Sequence, residues 1–156
     1  MSKEYFNIIF STFLNKYQVK IEVICAIIYF VGFYLAMVKI NGGMEMIGFS
    51  LTTLAIIYYL SAFVQKGGSN ILIIVSKKVI GISSAVTLVG IMFYNLGGSG
   101  ATVMLGVGTS SLAIAALLLA INELLSDEGI QSSAQLIRSS FILCLSIFLY
   151  LNPQIL

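Results

Sequence analysis

The sequence carries one pattern twice, at an offset of 58 positions. Residues 31–62 align with residues 89–120 without a gap, and residues 54–56 and 112–114 both read Leu-Ala-Ile. In each copy an apolar run is followed by a Gly-rich break and then by a second apolar run. Because such a break ends one helix and permits a tight return, the pattern predicts a duplicated helical hairpin. Two spans per copy make the copies enter the membrane in the same direction, as parallel repeats.

The apolar runs are long enough to predict membrane-spanning helices. The 156 residues are 59% hydrophobic and 9% charged, whereas soluble domains have about 25% charged residues. About 20 apolar residues in a helix cover the hydrocarbon core of a bilayer. We expect one domain of the all-α integral membrane class, with spans at 21–40, 45–64, 79–96 and 102–122.

The segments outside the first hairpin (21–64) and the second hairpin (79–122) have different compositions. Residues 1–20 have the apolar spacing of an amphipathic helix, which would lie in the membrane interface or simply extend the first span. The basic connection at 65–78 includes an apolar stretch at 70–75, either an interfacial segment or an early turn of the third helix.

Two segments follow the second hairpin. The first, 123–133, holds the acidic residues Glu123, Asp127 and Glu128 and is predicted to be a loop. The second, 134–156, contains an apolar stretch at 134–151 and a short tail. Eighteen residues barely cross a bilayer, so a fifth span and an interfacial helix are both open.

The positive charges predict the orientation. Loops on the cytoplasmic side carry an excess of Lys and Arg. With the N-terminus inside, Lys39 alone lies outside, and the other positive residues lie inside: Lys3, Lys16, Lys20, Lys66, Lys77, Lys78 and Arg138. The acidic loop also falls inside and carries little orientation information.

Small residues one turn apart predict the helix-packing faces. Apolar residues give no driving force between helices already in lipid, so small residues must allow close packing. Four spans carry such pairs: Gly32/Ala36, Gly48/Thr52, Gly81/Ala85 and Gly106/Ser110. The second and fourth pairs occupy matching places in the repeat, and we therefore expect the second and fourth spans to meet.

Polar residues within or beside the spans are the candidates for function. The hydroxyl patches that include Thr53 and Ser111 match in the repeat, and they would either line a pathway or bond back to their own helix carbonyls. Glu45 follows the first Gly-rich break and is either a hairpin-tip residue with a role or a solvated carboxylate. Arg138 lies at the start of the fifth apolar stretch.

Several function classes lack the residues they need. The chain has no His, and its two cysteines, Cys25 and Cys144, have no CxxC spacing, so no zinc, haem or other cofactor is expected. No nucleophile–base–acid set can be assembled, and an enzyme is not expected. A net charge of +2 without a basic, aromatic patch gives no reason to expect nucleic acid.

The stretch at 51–63, Leu-Thr-Thr-Leu-Ala-Ile-Ile-Tyr-Tyr-Leu-Ser-Ala-Phe, resembles the second span of the gliding-motility motor protein L of Bacteroidota. The plan of span, Gly-containing turn and span is similar too. In that family the hairpin is the membrane part of a proton-driven motor for type 9 secretion and gliding. The family has an acidic residue where this chain has Leu54 and Leu112. The resemblance therefore implies a hairpin in a bacterial inner membrane, but no proton-carrying residue.

Three functions are compatible with these features. The first is a non-enzymatic subunit or scaffold of a larger membrane assembly, in contact with the bilayer and with copies of itself or other membrane proteins. The second is a self-associating pore or channel lined by the Ser and Thr patches. The third is a small-solute transporter, for which a substrate site would need more polarity than the spans contain.

Overall fold

The computed structural model describes residues 3–64, 71–125 and 133–151, with side chains from residue 12 onward except at 15, 72–73, 123–125 and 133–134. Within these ranges the chain forms five α-helices, α1 (Lys3–Met37), α2 (Gly43–Val64), α3 (Ile71–Asn95), α4 (Ala101–Leu125) and α5 (Ser133–Leu151). The described part of the chain contains no β-strand. The all-α prediction is confirmed.

Four helices are long and apolar enough to cross a membrane, in the spans Lys16–Met37, Gly43–Val64, Ile74–Asn95 and Ala101–Asn122. The apolar part of α5, Gln135–Leu151, is shorter. Large apolar side chains stay exposed on the outer faces of the bundle, as lipid contact requires. These lengths and surfaces are those of an integral membrane protein.

Two alternatives from the sequence are decided by the helix bounds. Because α1 runs without a break through residue 20, the N-terminal segment extends the first span. Residues 71–75 form the first turns of α3 and are not a separate interfacial segment. Most of the predicted acidic loop, residues 126–132, lies outside the described residues.

The turns after α1 and α3 have the same backbone conformation. Lys39 and Gly97 both have a positive φ, of 60° and 68°, at the first residue beyond the helix cap. Two hydrogen bonds close each helix end: Ile40 N–H donates to the Leu35 carbonyl and Lys39 N–H to the Ala36 carbonyl, and the same pairs recur 58 residues later. This is the Schellman arrangement, which satisfies carbonyls that a helix end leaves free.

Each turn brings its two helices into close contact at a glycine. A Cβ placed on Gly32 of α1 would lie 2.9 Å from Cβ of Met46 and 3.1 Å from the Ile47 nitrogen. A Cβ on Gly90 of α3 would lie 2.9 Å from the nitrogen of Leu105. The helices can approach this closely only because no side chain separates them.

The order of the helices follows from their contacts. Helix α3 packs against α2, α4 and α5, whereas α1 packs against α2. Of the four spans, the one in α3 is the most enclosed, because 56% of it is buried, compared with 17% of the span in α1. Gln135 at the start of α5 bonds to the Lys77 carbonyl near the start of α3, so these two helices run in the same direction. The two short turns, 38–42 and 96–100, therefore lie at one end of the bundle, which we call the turn end.

The predicted meeting of the second and fourth spans is wrong. Among the described residues, α2 and α4 do not pack against each other, because α3 lies between them. Gly81 of α3 packs against Ala62 of α2, and a Cβ added to the glycine would lie 2.8 Å from the alanine Cβ. Gly108 of α4 packs against Thr87 of α3 in the same manner. Close glycine contacts thus join neighbours in the chain, and two such contacts place α2 and α4 on different sides of α3.

Candidate functional site

An ion pair joins the two outer helices, α1 and α5. The Nε of Arg138 lies 3.0 Å from Oε2 of Glu22, and their side chains are 26% and 15% exposed. Described backbone atoms of α1 and α5 do not come into contact, so these side chains bridge a gap. Ionisable groups within a membrane protein are costly and commonly mark function.

The pair lies inside the membrane-spanning part of the bundle. Glu22 precedes Met37 by 15 residues and is therefore about 22 Å from the turn end. Tyr58 follows Gly43 by 15 residues and lies at the same depth. Since a hydrocarbon core is about 30 Å thick, this depth is below the head-group boundary at the other end.

The carboxylate of Glu22 has three polar neighbours. Gln18 Nε2 donates a hydrogen bond of 2.9 Å to Oε1, Arg138 contacts Oε2 at 3.0 Å, and Tyr58 lines the same end of a cleft. A half-buried carboxylate with such partners is held in place. It is positioned to hold the guanidinium.

An apolar cleft extends from the ion pair toward the middle of the bundle. Its volume is about 310 Å³, and it lies between α1 and α5 over a floor made by α2 and α3. Glu22, Tyr58 and Arg138 form its polar end, and the rest of its lining is apolar or aromatic. We call it the α1/α5 cleft. An apolar recess with a few convergent polar groups is the usual form of a small-molecule site in proteins.

Two buried polar groups lie on one face of α3 behind this cleft. The Ser84 hydroxyl and the Asn95 amide have no hydrogen-bond partner among the described residues. They share a helix face with Leu88, which contributes to the cleft floor. The Tyr29 hydroxyl lies near the Asn95 amide, but their contact lacks the geometry of a hydrogen bond. Helix α3 therefore carries buried polar groups, one in its middle and one at the turn end, that the described side chains leave unsatisfied.

A second recess lies on the other side of α3. This α2/α4 groove, of about 410 Å³, is lined by α2 and α3 with Met104 of α4, and its lining is apolar apart from Thr52 and the Tyr59 ring. Thr52 donates a weak hydrogen bond to the sulfur of Met92, at 3.2 Å. The groove occupies the place where the sequence predicted an α2–α4 interface.

The predicted packing residues fall into two groups. Gly32, Ala36, Gly81 and Ala85 lie at or beside contacts between helices of the same chain. In contrast, a Cβ on Gly48 or Gly106 would meet no atom within 4 Å. Thr52 and Ser110, one turn after these glycines, are exposed. Neither of these two glycines is in close contact with another described helix, and Thr52 is joined to α3 through its bond to Met92.

The hydroxyl patches of α2 and α4 are not brought together. Thr53 donates to the Phe49 carbonyl at 2.8 Å, and Ser110 donates to the Val107 carbonyl at 3.1 Å. Ser111 is half-buried. Because the two donors bond to their own helices and α3 separates the patches, the described part of one copy has no pathway lined by both.

The remaining polar candidates have different surroundings. Glu45 is exposed in the first turn of α2, where a carboxylate interacts favourably with the helix dipole. In the ranges that the structure describes, the salt bridge is Arg138 with Glu22, and Glu45 does not pair with Lys39. Arg138 was a candidate from the sequence, whereas Glu22, at the start of the span predicted at 21–40, was not.

A signal for the ion pair was present in the sequence. Glu22 lies at the start of the predicted first span and Arg138 near the start of the fifth apolar stretch, both on the predicted inner side and with opposite charges. Finding the pair required knowing that α1 and α5 flank one cleft. The described residues contain no cluster of three or more His, Cys, Asp or Glu side chains that would hold a metal ion.

Comparison with known proteins does not place the chain in a family. No protein-family model, no curated protein and no solved structure matches it. The resemblance of each hairpin to the gliding-motility motor protein therefore stays a prediction.

Proposed function

We propose that the protein is a non-enzymatic subunit or scaffold of a larger membrane assembly. The observation that carries the proposal is the pair of glycines without a neighbouring helix, Gly48 on α2 and Gly106 on α4, each followed one turn later by an exposed hydroxyl residue, Thr52 or Ser110. Glycines at the other two faces lie against neighbouring helices, at distances that exclude a Cβ. Gly48 and Gly106 have no such neighbour within the described chain.

The physics of association in lipid supports this use. Helices in a bilayer gain nothing by hiding apolar surface from lipid, so a partner helix must offer better van der Waals contact than lipid chains do. A glycine followed one turn later by a small hydroxyl residue allows close backbone approach. The α2/α4 groove beside Thr52 adds a recess that side chains of a partner would fill.

We further infer that the two hairpins are duplicates. The turn residues with positive φ, Lys39 and Gly42, have counterparts 58 residues later in Gly97 and Gly100. Gly32 packs on Met46 and Ile47, and Gly90 packs on the equivalent residues Met104 and Leu105. In this proposal the duplicated unit is a way of packing two helices in lipid.

The proposed setting is a bacterial inner membrane with the N-terminus in the cytoplasm. The excess of Lys and Arg at the end of the bundle opposite the turns supports this orientation. Lys39, in the first turn, is the exception. The setting itself comes from the hairpin resemblance and from no other observation.

The proposal is tested by the mass of the full chain in mild detergent and in nanodiscs. We expect an oligomer or a complex with another membrane protein, and we expect Gly48→Leu with Gly106→Leu to dissociate it. Val103→Leu is the matched control, because Val103 is 67% exposed on α4 and is not part of a small-residue pair. Unchanged helicity by circular dichroism would show that the double variant still folds.

Two results would contradict the proposal. One is a wild-type chain that is monomeric in both media and co-purifies with nothing. The other is an assembly that survives the double leucine variant. Ion flux through liposomes containing the chain would instead favour the self-associating pore.

A further inference from the structure

We infer that the α1/α5 cleft is a binding site for one phospholipid with a zwitterionic head group. In this proposal an acyl chain occupies the apolar part and the head group lies at the Glu22–Arg138 pair. Three properties support it: the order of polarity along the cleft, its apolar lining and the hydrogen-bonding capacity of the pair. The site does not depend on whether the protein forms an assembly.

Along the cleft, a polar end is followed by an apolar lining, as a head group is followed by acyl chains in a lipid of one leaflet. The polar end lies just inside the membrane boundary opposite the turn end, and from there the apolar lining continues to Phe30 on α1 and Leu145 on α5. Phe30 lies eight residues beyond Glu22, about 12 Å closer to the turn end. The cleft therefore leads from the head-group side toward the bilayer midplane, as an acyl chain does.

The lining beyond the ion pair favours a hydrocarbon occupant. It is apolar or aromatic on α1, on α5 and on the floor formed by α2 and α3. An acyl chain is the apolar group that a bilayer itself supplies to such a cleft.

The hydrogen-bond donors of Arg138 favour a phosphate at the polar end. Its guanidinium has five N–H donors, and the ion pair with Glu22 is made through Nε. The Arg138 side chain is 26% exposed, so a ligand outside the described bundle can reach it. A guanidinium below the membrane boundary draws phosphate groups toward it, and phosphate matches its planar fork.

Glu22 gives the reason for a zwitterionic head group. The pair has no net charge, because the carboxylate lies beside the guanidinium. A head group with net negative charge is attracted by one partner and repelled by the other at nearly equal distance. A head group that carries both a phosphate and an amine can place each beside its opposite charge, and Glu22 keeps acceptor capacity beyond its three present neighbours.

The test measures lipid retained by the full chain. The protein is purified in mild detergent, exposed to an equimolar mixture of phosphatidylethanolamine and phosphatidylglycerol, and examined by native mass spectrometry. We expect one phosphatidylethanolamine per chain, preferred over phosphatidylglycerol. No retained phospholipid, or a preference for phosphatidylglycerol, would overturn the proposal.

Two variants distinguish the site of the acyl chain from the site of the head group. Ala26→Phe fills the apolar cleft beside α1, and we expect about tenfold weaker retention because the ring replaces buried methylene groups. Val103→Phe adds a ring on exposed α4 surface and should retain lipid like the wild type. Glu22→Gln with Arg138→Gln should remove the head-group preference while the cleft keeps its shape.

Lipid retention by both variants is interpreted only after circular dichroism shows wild-type helicity. Should Ala26→Phe fail to fold, Ala26→Leu supplies a smaller obstruction with the same expected direction. Retention that is unchanged in a folded cleft-filling variant would show that the lipid binds elsewhere and would overturn the proposal.

Discussion

Replacing Gly90 with alanine tests whether glycine contacts hold the second hairpin together. The added Cβ would lie 2.9 Å and 3.0 Å from the nitrogen and Cα of Leu105. These are backbone atoms, so no side chain can turn away and α4 must move as a unit. Overpacking of this kind costs about 1–3 kcal/mol.

Gly106→Ala is the matched control on the other helix of the hairpin. Its Cβ would meet nothing within 4 Å, and alanine remains small enough for any partner helix. Both substitutions gain up to about 1 kcal/mol of helix propensity over glycine. The difference between the two variants therefore isolates the packing cost.

The two cysteines supply a convenient assay. Cys25 is buried, with 3% exposure, whereas Cys144 is exposed. In a Cys144→Ser background, a thiol-reactive fluorescent dye reports unfolding through Cys25 alone. At about 2–4 °C per kcal/mol for a chain of this size, Gly90→Ala should melt roughly 2–12 °C below Gly106→Ala. Equal melting temperatures would refute the close contact between Gly90 and Leu105.

Three further predictions use the same dye assay. Lys39→Gly should stabilise the chain by about 1 kcal/mol, because Lys39 has a φ of 60° that glycine adopts without strain; a loss of stability would contradict the turn conformation. Glu22→Gln should lower the stability by roughly 2 kcal/mol, less than the 3–5 kcal/mol of a fully buried pair, since it leaves Arg138 without its counter-ion. The double variant Glu22→Gln with Arg138→Gln should lose less stability than the single variant. A larger loss in the double variant would show that the pair does not form. Thr109→Ala should cost about 0.6 kcal/mol through loss of the 3.1 Å bond from α4 to α5, whereas Ser110→Ala, which loses only a bond within its own helix, should be close to neutral.

The helices were predictable from the sequence because bilayer thickness fixes their length. Apolar runs of about 20 residues leave little choice of structure. The end of α1 was less predictable: it was expected at residue 40, before the Asn-Gly-Gly break, but α1 ends at Met37. Lys39 takes the left-handed conformation that the sequence pattern reserves for glycine. The hydrogen bonds of the capping turn outweigh the preference of a lysine for a negative φ.

The pairing of the helices was not predictable from small-residue patterns. Gly48 and Gly81 belong to the same kind of pair, yet Gly81 lies against Ala62 while Gly48 contacts nothing in the described chain. A small residue permits close approach but does not specify the partner. Short turns and chain order supplied that information, by placing α3 between α2 and α4.

The candidate site lies where the duplication is broken. At the 58-residue offset, the counterparts of Glu22 and Tyr58 in the second hairpin are Ile80 and Ala116, neither of which carries a polar side chain. Arg138 belongs to α5, which lies outside both copies. A symmetric pair of hairpins would produce two equivalent apolar clefts without charge. The α1/α5 cleft has its ion pair because α5 covers one side of the bundle and because α1 has a glutamate where the matching position of α3 has Ile80. Packing in lipid is therefore encoded by what the hairpins share, and the candidate function by what they do not share.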